Sequence, residues 1–141
     1  DLLEPECTRA GIHPELQGDG SVVVLADPVA LEQIVHNLLS NALQALQQVA
    51  PAERRLWLTT RLDGERGVLV VRDSGPGIAP EALPRLFEPF FSTREGGLGL
   101  GLSLCETLAA GMGGELTGGN ATTRGAEFRL SLPRAPSTAT T

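Results

Sequence analysis

Two glycine-containing segments of this sequence have residue types and spacings that could contact a small ligand. The first, DSGPGI, places Asp73 at the end of a predicted strand, directly before Gly75 and Gly77. A carboxylate there can accept hydrogen bonds from an exocyclic amine such as N6 of adenine, while glycines let the backbone pass close to a flat ligand. Guanine presents a carbonyl at this position instead, and two unpaired acceptors would weaken its binding by about 1–3 kcal/mol. The segment therefore favours ATP over GTP, and a plain Asp-Ser-Gly turn is the alternative.

The second segment, REGGLGLGLSL, alternates leucine with glycine over residues 94–104. Its glycines run directly into a helix that we predict over residues 99–112. Free N–H groups at a helix start, together with glycine N–H groups, form a ready site for an anion such as phosphate. The chain contains no Lys, so a P-loop of the Gly-Lys-Ser/Thr type is excluded. A loose linker is the alternative reading of this segment.

A long predicted helix carries a further candidate site. Asp27 can cap it, Pro28 suits its first position, and Pro51 marks its predicted end. Its apolar face is predicted to consist of Leu31, Ile34, Val35, Leu38, Ala42, Leu46 and Val49. Beside that face runs a stripe of neutral amides, namely Gln33, Asn37, Asn41, Gln44 and Gln48. An Asn carbonyl facing a cleft could be one oxygen ligand of Mg²⁺; a solvated helix face is the alternative.

The remaining elements must position these residues. We predict a helix over residues 1–10, a short helix over 81–86, and strands over 12–17, 21–25, 54–62, 67–73, 114–119 and 126–133. Asp63 and Gly64 predict a hairpin between the third and fourth strands. The irregular order of helices and strands predicts an α+β, two-layer sandwich, with helices covering one face of a mixed, mostly antiparallel sheet. We expect one domain over residues 1–133 and a flexible tail over 134–141.

Composition limits the possible partners. The 141 residues carry a net charge of −6, which argues against nucleic acid or an anionic membrane as the main partner. Cys7 and Cys105 match no metal-site spacing and are expected to be buried apolar side chains in a reducing, cytoplasmic protein. His13 and His36 are expected to be ordinary surface residues.

In combination, the motifs HNLLSNAL, DSGPGI, LFEPFFST and GGLGLGLSL, followed by GAEFRLSLP, resemble the ATP-binding catalytic domain of bacterial sensor histidine kinases. The resemblance covers roughly residues 20–133 and is greatest to the short-lid kinases of the nitrogen-regulation and dicarboxylate-sensing type. It implies the Bergerat fold, which is shared with DNA gyrase B, heat-shock chaperones and mismatch-repair ATPases. It also implies ATP and Mg²⁺ as cofactors.

The resemblance implies a role for each matching residue. Asn37 and Asn41 match the family's two helix asparagines, Asn41 being the Mg²⁺ ligand, and Asp73 would hold the adenine amine. Phe87, Phe90 and Phe91 match an aromatic anchor beneath a mobile lid. The implied ATP-binding set is Asn37, Asn41, Gln44, Ala45, Asp73, Gly75, Gly77, Ile78, Phe91, Ser92, Thr93, Arg94, Gly97, Leu98, Gly99, Leu100, Gly101, Leu102 and Gly125.

Four positions differ from the family's pattern or add to it. Gln44 and Ala45 stand where many members carry Lys and an aromatic residue, so phosphate contact and ring stacking from this helix are weaker or absent. Arg94 stands where the lid commonly has Lys and would keep the charge. Arg85 is a second candidate contact to the γ-phosphate, with a solvated surface charge as its alternative.

Residue 37 distinguishes among the chemistries of the superfamily. Hydrolases and chaperones carry Glu there as a base for attacking water, and Asn37 cannot act as a base at neutral pH. The resemblance therefore implies a kinase that phosphorylates a histidine on a separate dimerisation and phosphoacceptor domain, with a response regulator as the next partner. Direct membrane contact is not expected. The alternatives are an ATPase of the gyrase or chaperone kind and a pseudokinase module that signals only by shape.

Overall fold

A computed structural model describes residues 11–12, 14–18, 24, 26–89 and 101–134. The strands form one five-stranded sheet in the order β1-β2-β3-β5-β4, in which β1 and β2 are parallel and every other neighbouring pair is antiparallel. The helices and strands are β1 (Glu15–Gly18), α1 (Pro28–Leu46), β2 (Leu56–Asp63), β3 (Arg66–Asp73), α2 (Gly101–Gly111), β4 (Glu115–Asn120) and β5 (Ala126–Pro133), with 3₁₀ turns at Pro51–Glu53 and Leu83–Arg85.

The helices α1 and α2 pack on one face of the sheet, as the two-layer prediction requires. Alternate residues of β5 point into the core, so Phe128 and Leu130 are buried whereas Arg129 lies on the opposite face. That opposite face carries polar and charged side chains, and the guanidinium of Arg72 lies 4.1 Å from the ring centroid of Trp57. The α+β sandwich predicted from the sequence is confirmed.

The N-terminus of α1 forms as its residues predict. The Asp27 side chain accepts a hydrogen bond from the Val29 backbone N–H at 3.0 Å, and Pro28 occupies the first turn. Four of the seven residues predicted for the apolar face are fully buried, and Leu31, Val35 and Val49 are half-buried against the core. Leu39 and Leu43 are also buried, so the buried face of α1 is wider than predicted.

The predicted end of this helix at Pro51 is wrong, because α1 ends at Leu46. Beyond it, the N–H groups of Gln47 and Val49 bond to carbonyls three residues back, which tightens the chain out of the α-helix. Ala50 is extended, as expected for a residue that precedes proline. The apolar and amide patterns continue past Leu46, but the backbone hydrogen bonds do not.

The C-terminus of α2 is closed by the two glycines that the sequence indicates. Gly113 has a φ of +75°, its N–H bonds to the carbonyl of Ala110, and the N–H of Gly114 bonds to the carbonyl of Ala109. This pair of bonds is the Schellman motif. The hairpin between β2 and β3 also forms where predicted, with Gly64 at a φ of +64° in its turn.

The other local predictions have mixed outcomes. A short helix over residues 81–86 is wrong in type, because only a 3₁₀ turn at Leu83–Arg85 forms beside Pro84. The last two strands pair as predicted, and Val24 bridges Arg134. The predicted helix over residues 1–10, most of the strand over 21–25 and residues 135–141 lie outside the described residues. None of the helices described is both long and apolar enough to cross a membrane.

We expect Leu38→Ala to lower the free energy of unfolding by about 2–5 kcal/mol, because the Leu38 side chain is 0% exposed between α1 and the sheet and its loss leaves a cavity. Urea unfolding followed by circular dichroism measures this. The control is Leu16→Ala, a leucine in β1 that is 78% exposed and that should change stability little. Equal losses in the two variants would contradict the described core.

Candidate functional site

The carboxylate of Asp73 is a buried charged group among the predicted site residues. It ends β3 on the side of the helices and is 3% exposed. Its Oδ1 accepts hydrogen bonds from the backbone N–H groups of Gly75 at 2.8 Å and Ala126 at 3.3 Å. Burial raises the pKa of this carboxyl above its usual value of 3.8, although both hydrogen bonds lower it. The two bonds orient Asp73 through one oxygen and leave Oδ2 for another partner.

Two of the predicted glycines are needed because the backbone packs directly around Asp73. A Cβ on Gly75 would lie 2.9 Å from Asp73 Oδ1 and 3.0 Å from the Cβ of Ala45. Gly125 has a φ of +87°, and a Cβ there would lie 1.7 Å from the carbonyl oxygen of Asp73. The structure thus brings together Asp73, Gly75, Gly125 and Ala45. It also gives these glycines a packing role that the motif alone did not show.

The end of the first glycine segment is attached to β4 rather than to its sequence neighbours. Gly77 has a φ of +83°, a backbone conformation that L side chains rarely adopt. Directly after it, the backbone N–H of Ile78 donates to Asn120 Oδ1 at 2.7 Å, and Asn120 Nδ2 donates to the Ile78 carbonyl at 2.9 Å. Asn120 was not among the predicted site residues.

Ser74 attaches the start of the same segment to the β2 side of the sheet. Its Oγ accepts a hydrogen bond from the backbone N–H of Arg55 at 2.7 Å and donates to the carbonyl of Glu53 at 2.8 Å. The backbone N–H of Ser74 also donates to the Arg55 carbonyl. The serine of the DSG motif is therefore a structural residue, buried beside Asp73.

Asn37 connects the two helices. Its Nδ2 donates to Sγ of Cys105 at 3.3 Å, and its Oδ1 accepts a long hydrogen bond from Gln33 Nε2 at 3.5 Å. Cys105 is 0% exposed, as predicted for a buried apolar thiol, and burial raises its pKa although the hydrogen bond from Asn37 lowers it. These contacts fix which end of the Asn37 amide faces α2.

Asn41 lies one helical turn beyond Asn37 and one turn before Ala45, so the three share a face of α1 at intervals of about 6 Å. Asn37 and Asn41 are half-buried, whereas Gln44 is exposed. No group of three or more His, Cys, Asp or Glu residues in the described chain could hold a metal ion. The described residues would offer Mg²⁺ one protein ligand, the side-chain amide oxygen of Asn41. Phosphate and water oxygens would have to supply the other ligands.

Some of the remaining predicted site residues are described by the structure and others are not. Gly101 and Leu102 begin the described part of α2, and Leu102 and Phe87 pack against the core. Arg85 forms an exposed ion pair with Glu88 at 3.1 Å. Nine further predicted residues lie outside the described residues: Phe90, Phe91, Ser92, Thr93, Arg94, Gly97, Leu98, Gly99 and Leu100. The contacts assigned to them, and to Arg85, stay predictions.

Sequence reasoning missed Asn120 and the partner of Asn37 for the same reason. Asn120 is 42 residues away from Ile78, and Cys105 is 68 residues away from Asn37. Nothing in the local sequence of either residue signals a partner at that distance. The predicted strand over residues 114–119 stops before Asn120, whereas in the structure Asn120 is the last residue of β4.

A family model described as "Histidine kinase-, DNA gyrase B-, and HSP90-like ATPase" matches residues 26–136 of this chain. Among curated relatives, the C4-dicarboxylate transport sensor protein DctB of Pseudomonas aeruginosa is 45% identical over 116 residues, which cover 81% of this chain and 19% of DctB. The chain therefore spans about a fifth of the length of that relative.

Solved structures of histidine kinases have the same fold. A nucleotide-free catalytic domain of histidine kinase ThkA matches with a TM-score of 0.82 and 28% identity over 94% of this chain and 86% of that one. ThkA in complex with the response regulator protein TrrA matches with a TM-score of 0.78 and 27% identity over 96% and 38% of the two chains. Full-length ShkA in complex with AMPPNP matches with a TM-score of 0.79 and 35% identity over 96% and 28%.

The raised pKa of Asp73 predicts how the stability of the ligand-free protein depends on pH. A folded-state pKa above the usual 3.8 means that protonation of Asp73 favours the folded state, so this contribution to stability is lost as pH rises through the raised pKa. Asp73→Asn keeps an oxygen acceptor for Gly75 and Ala126 without the buried charge. We expect the free energy of unfolding of Asp73→Asn to rise relative to that of the wild type as pH increases from 3.8 through the raised pKa of Asp73.

Urea unfolding at several pH values measures this difference. Asp63→Asn removes the same charge from an exposed position at the end of β2, so its stability relative to the wild type should change much less with pH. A stability difference between Asp73→Asn and the wild type that stays constant across the range would contradict the burial of the Asp73 carboxylate.

The burial and raised pKa of Cys105 predict an unreactive thiol. In a Cys7→Ser background, we expect iodoacetamide to label Cys105 at least about a hundredfold more slowly in the folded protein than in urea, because the thiolate is the reactive species and the sulfur is inaccessible. Mass spectrometry over time measures the rate. Comparable rates in the two states would show that α1 and α2 separate readily.

Proposed function

Because this chain belongs to the histidine kinase-, DNA gyrase B- and HSP90-like ATPase family, we propose that it binds Mg-ATP as the catalytic domain of a sensor histidine kinase. In this proposal it donates the γ-phosphoryl group to a histidine on a separate dimerisation and phosphoacceptor domain. The observation that carries the proposal is the buried Asp73 carboxylate, which is oriented through Oδ1 and has Oδ2 left over. The sensor-protein relatives and the AMPPNP complex of ShkA support it.

Asp73 determines the choice of base. Its Oδ2 accepts a hydrogen bond from the exocyclic N6 amine of adenine, at the end of the sheet where Gly75 and Gly125 hold the backbone close. The O6 carbonyl of guanine would place an acceptor against this carboxylate, with no donor for either group. Ala45, whose Cβ lies beside Gly75, offers an apolar contact but no aromatic stacking and no charge.

The amide side chains of α1 act on the phosphate end of the nucleotide. Asn41 offers the carbonyl oxygen that holds Mg²⁺, and this ion, when bound with ATP, neutralises charge on the phosphate oxygens. Asn37 has no basic group with which to activate water, so hydrolysis is disfavoured and the phosphoryl group is retained for a histidine nucleophile. In the transfer, the bond from Pγ to the bridging oxygen of ADP breaks and a bond from Pγ to an imidazole nitrogen forms. Arg94 and Arg85 are the candidate cations for the charge that develops.

The acceptor histidine comes from another domain in this proposal. His36 is half-buried on α1 and is followed by Asn37 rather than by the Glu expected of a phosphoacceptor helix, and His13 lies outside the described residues. We propose a response regulator receiver domain as the protein that takes the phosphoryl group onward, and a cytoplasmic location for this domain. The complex of ThkA with its response regulator supports that choice of partner.

We expect isothermal titration calorimetry to show Mg-ATP binding by the wild-type chain and at least about tenfold weaker binding of Mg-GTP, the equivalent of about 1.4 kcal/mol. Asp73→Asn should bind Mg-ATP at least about a hundredfold more weakly, because it presents an NH₂ donor to the adenine amine in place of an acceptor. Asp63→Asn is the charge-matched control, and its affinity should equal that of the wild type.

Three outcomes would count against the proposal in different ways. An absence of Mg-ATP binding would favour a module that signals only by shape. Equal affinities for Mg-ATP and Mg-GTP would contradict recognition of the base by Asp73. Steady ATP hydrolysis by the isolated chain, abolished in Asn37→Ala, would favour an ATPase of the gyrase or chaperone kind.

A further inference from the structure

We infer that Asn120 is a positioning residue for the nucleotide site, one that holds the Gly75–Ile78 loop in its binding conformation from the neighbouring strand β4. The inference rests on the proposed function and assigns to it a residue outside the recognised motifs. Asn120 touches no reacting group itself; it acts through the loop that Asp73 begins.

The geometry is that of a two-point attachment. Asn120 Oδ1 accepts the backbone N–H of Ile78 at 2.7 Å, and Asn120 Nδ2 donates to the carbonyl of the same residue at 2.9 Å. One side-chain amide thus satisfies both backbone groups of Ile78, as a neighbouring strand would do. Because donor and acceptor are both used, only an amide of this length supplies the full contact.

The loop needs an external attachment because it has little structure of its own. Residues 74–79 form no helix or strand, and Gly77 is in the left-handed region at a φ of +83°. Among the described residues, Asn120 is the hydrogen-bond partner of the Ile78 backbone on both sides. A free loop with two glycines would sample many conformations, and a ligand would have to order it at an entropic cost.

The attachment also fixes the distance between Ile78 and Asp73. Asn120 pairs with Ala126 where β4 and β5 meet the connecting turn, and the N–H of Ala126 donates to Asp73 Oδ1. The N–H of Ala121 closes that turn on the carbonyl of Gly125 at 2.9 Å. The same end of the β4–β5 hairpin therefore holds both ends of the loop, Asp73 through Ala126 and Ile78 through Asn120.

The test compares nucleotide affinity and loop protection in this chain. Asn120→Ala removes both contacts, and Asn120→Asp keeps the shape and the acceptor but places an oxygen against the Ile78 carbonyl. Since Asn120 is exposed, we expect neither variant to change the melting temperature much. We expect Asn120→Ala to bind Mg-ATP and Mg-ADP about tenfold more weakly by calorimetry, with Asn120→Asp weakened as well. Thr117→Ala, at another exposed position of β4, is the control and should bind like the wild type.

Amide hydrogen exchange of the ligand-free chain provides a readout that nucleotide binding does not influence. Exchange at Ile78 should be slow in the wild type and at least about tenfold faster in Asn120→Ala, with the core strands unchanged. Wild-type affinity in Asn120→Ala, or unchanged exchange at Ile78, would overturn the inference alone. A wild-type chain that binds no nucleotide would overturn the proposed function and this inference with it.

Discussion

The burial of one carboxylate, that of Asp73, is the constraint on which the rest of the site depends. A charged group that is removed from water requires hydrogen bonds, and two backbone N–H groups, from Gly75 and Ala126, converge on its Oδ1. The backbone packs closely around this carboxylate at two positions, where a Cβ at Gly75 or Gly125 would contact Asp73 itself. Gly75 and Gly125 are therefore required for the packing around the buried carboxylate, whatever ligand they also contact.

The long helix α1 joins the core to the site. Its buried side packs on the sheet and on α2, while its amide side runs past Cys105 to the loop that follows Asp73. Gly75 approaches α1 closely at Ala45, where a Cβ on the glycine would lie 3.0 Å from the Cβ of Ala45. The contact between Asn37 and Cys105 links the position of the amide stripe to the packing of α2. A change in the angle between the two helices would consequently move Asn37 and Asn41 relative to Asp73.

Features with a strong local cause could be predicted from the sequence. The Asp27 cap, the Gly113–Gly114 helix end, the hairpin turn at Gly64 and the final strand at Ala126–Pro133 all form where their residues indicate. Predictions of helix boundaries failed where the periodic residue pattern continues beyond the helical hydrogen bonds. The apolar and amide periodicity continues past Leu46, yet tighter i to i−3 bonds end the helix there. The turn at Leu83–Arg85 is similar, because residues with high helix propensity stand beside Pro84, which donates no backbone hydrogen bond.

The fold class, the family and the motifs that contain Asp73, Asn37 and Asn41 can be recognised in the sequence alone, because helix and strand periodicities and glycine motifs are local properties. The surroundings of those residues depend on the tertiary structure. The pairing of Asn120 with Ile78 and of Asn37 with Cys105 spans 42 and 68 residues. Contacts at such separations follow from how the sheet and helices pack together, so the residues adjacent in sequence do not predict them.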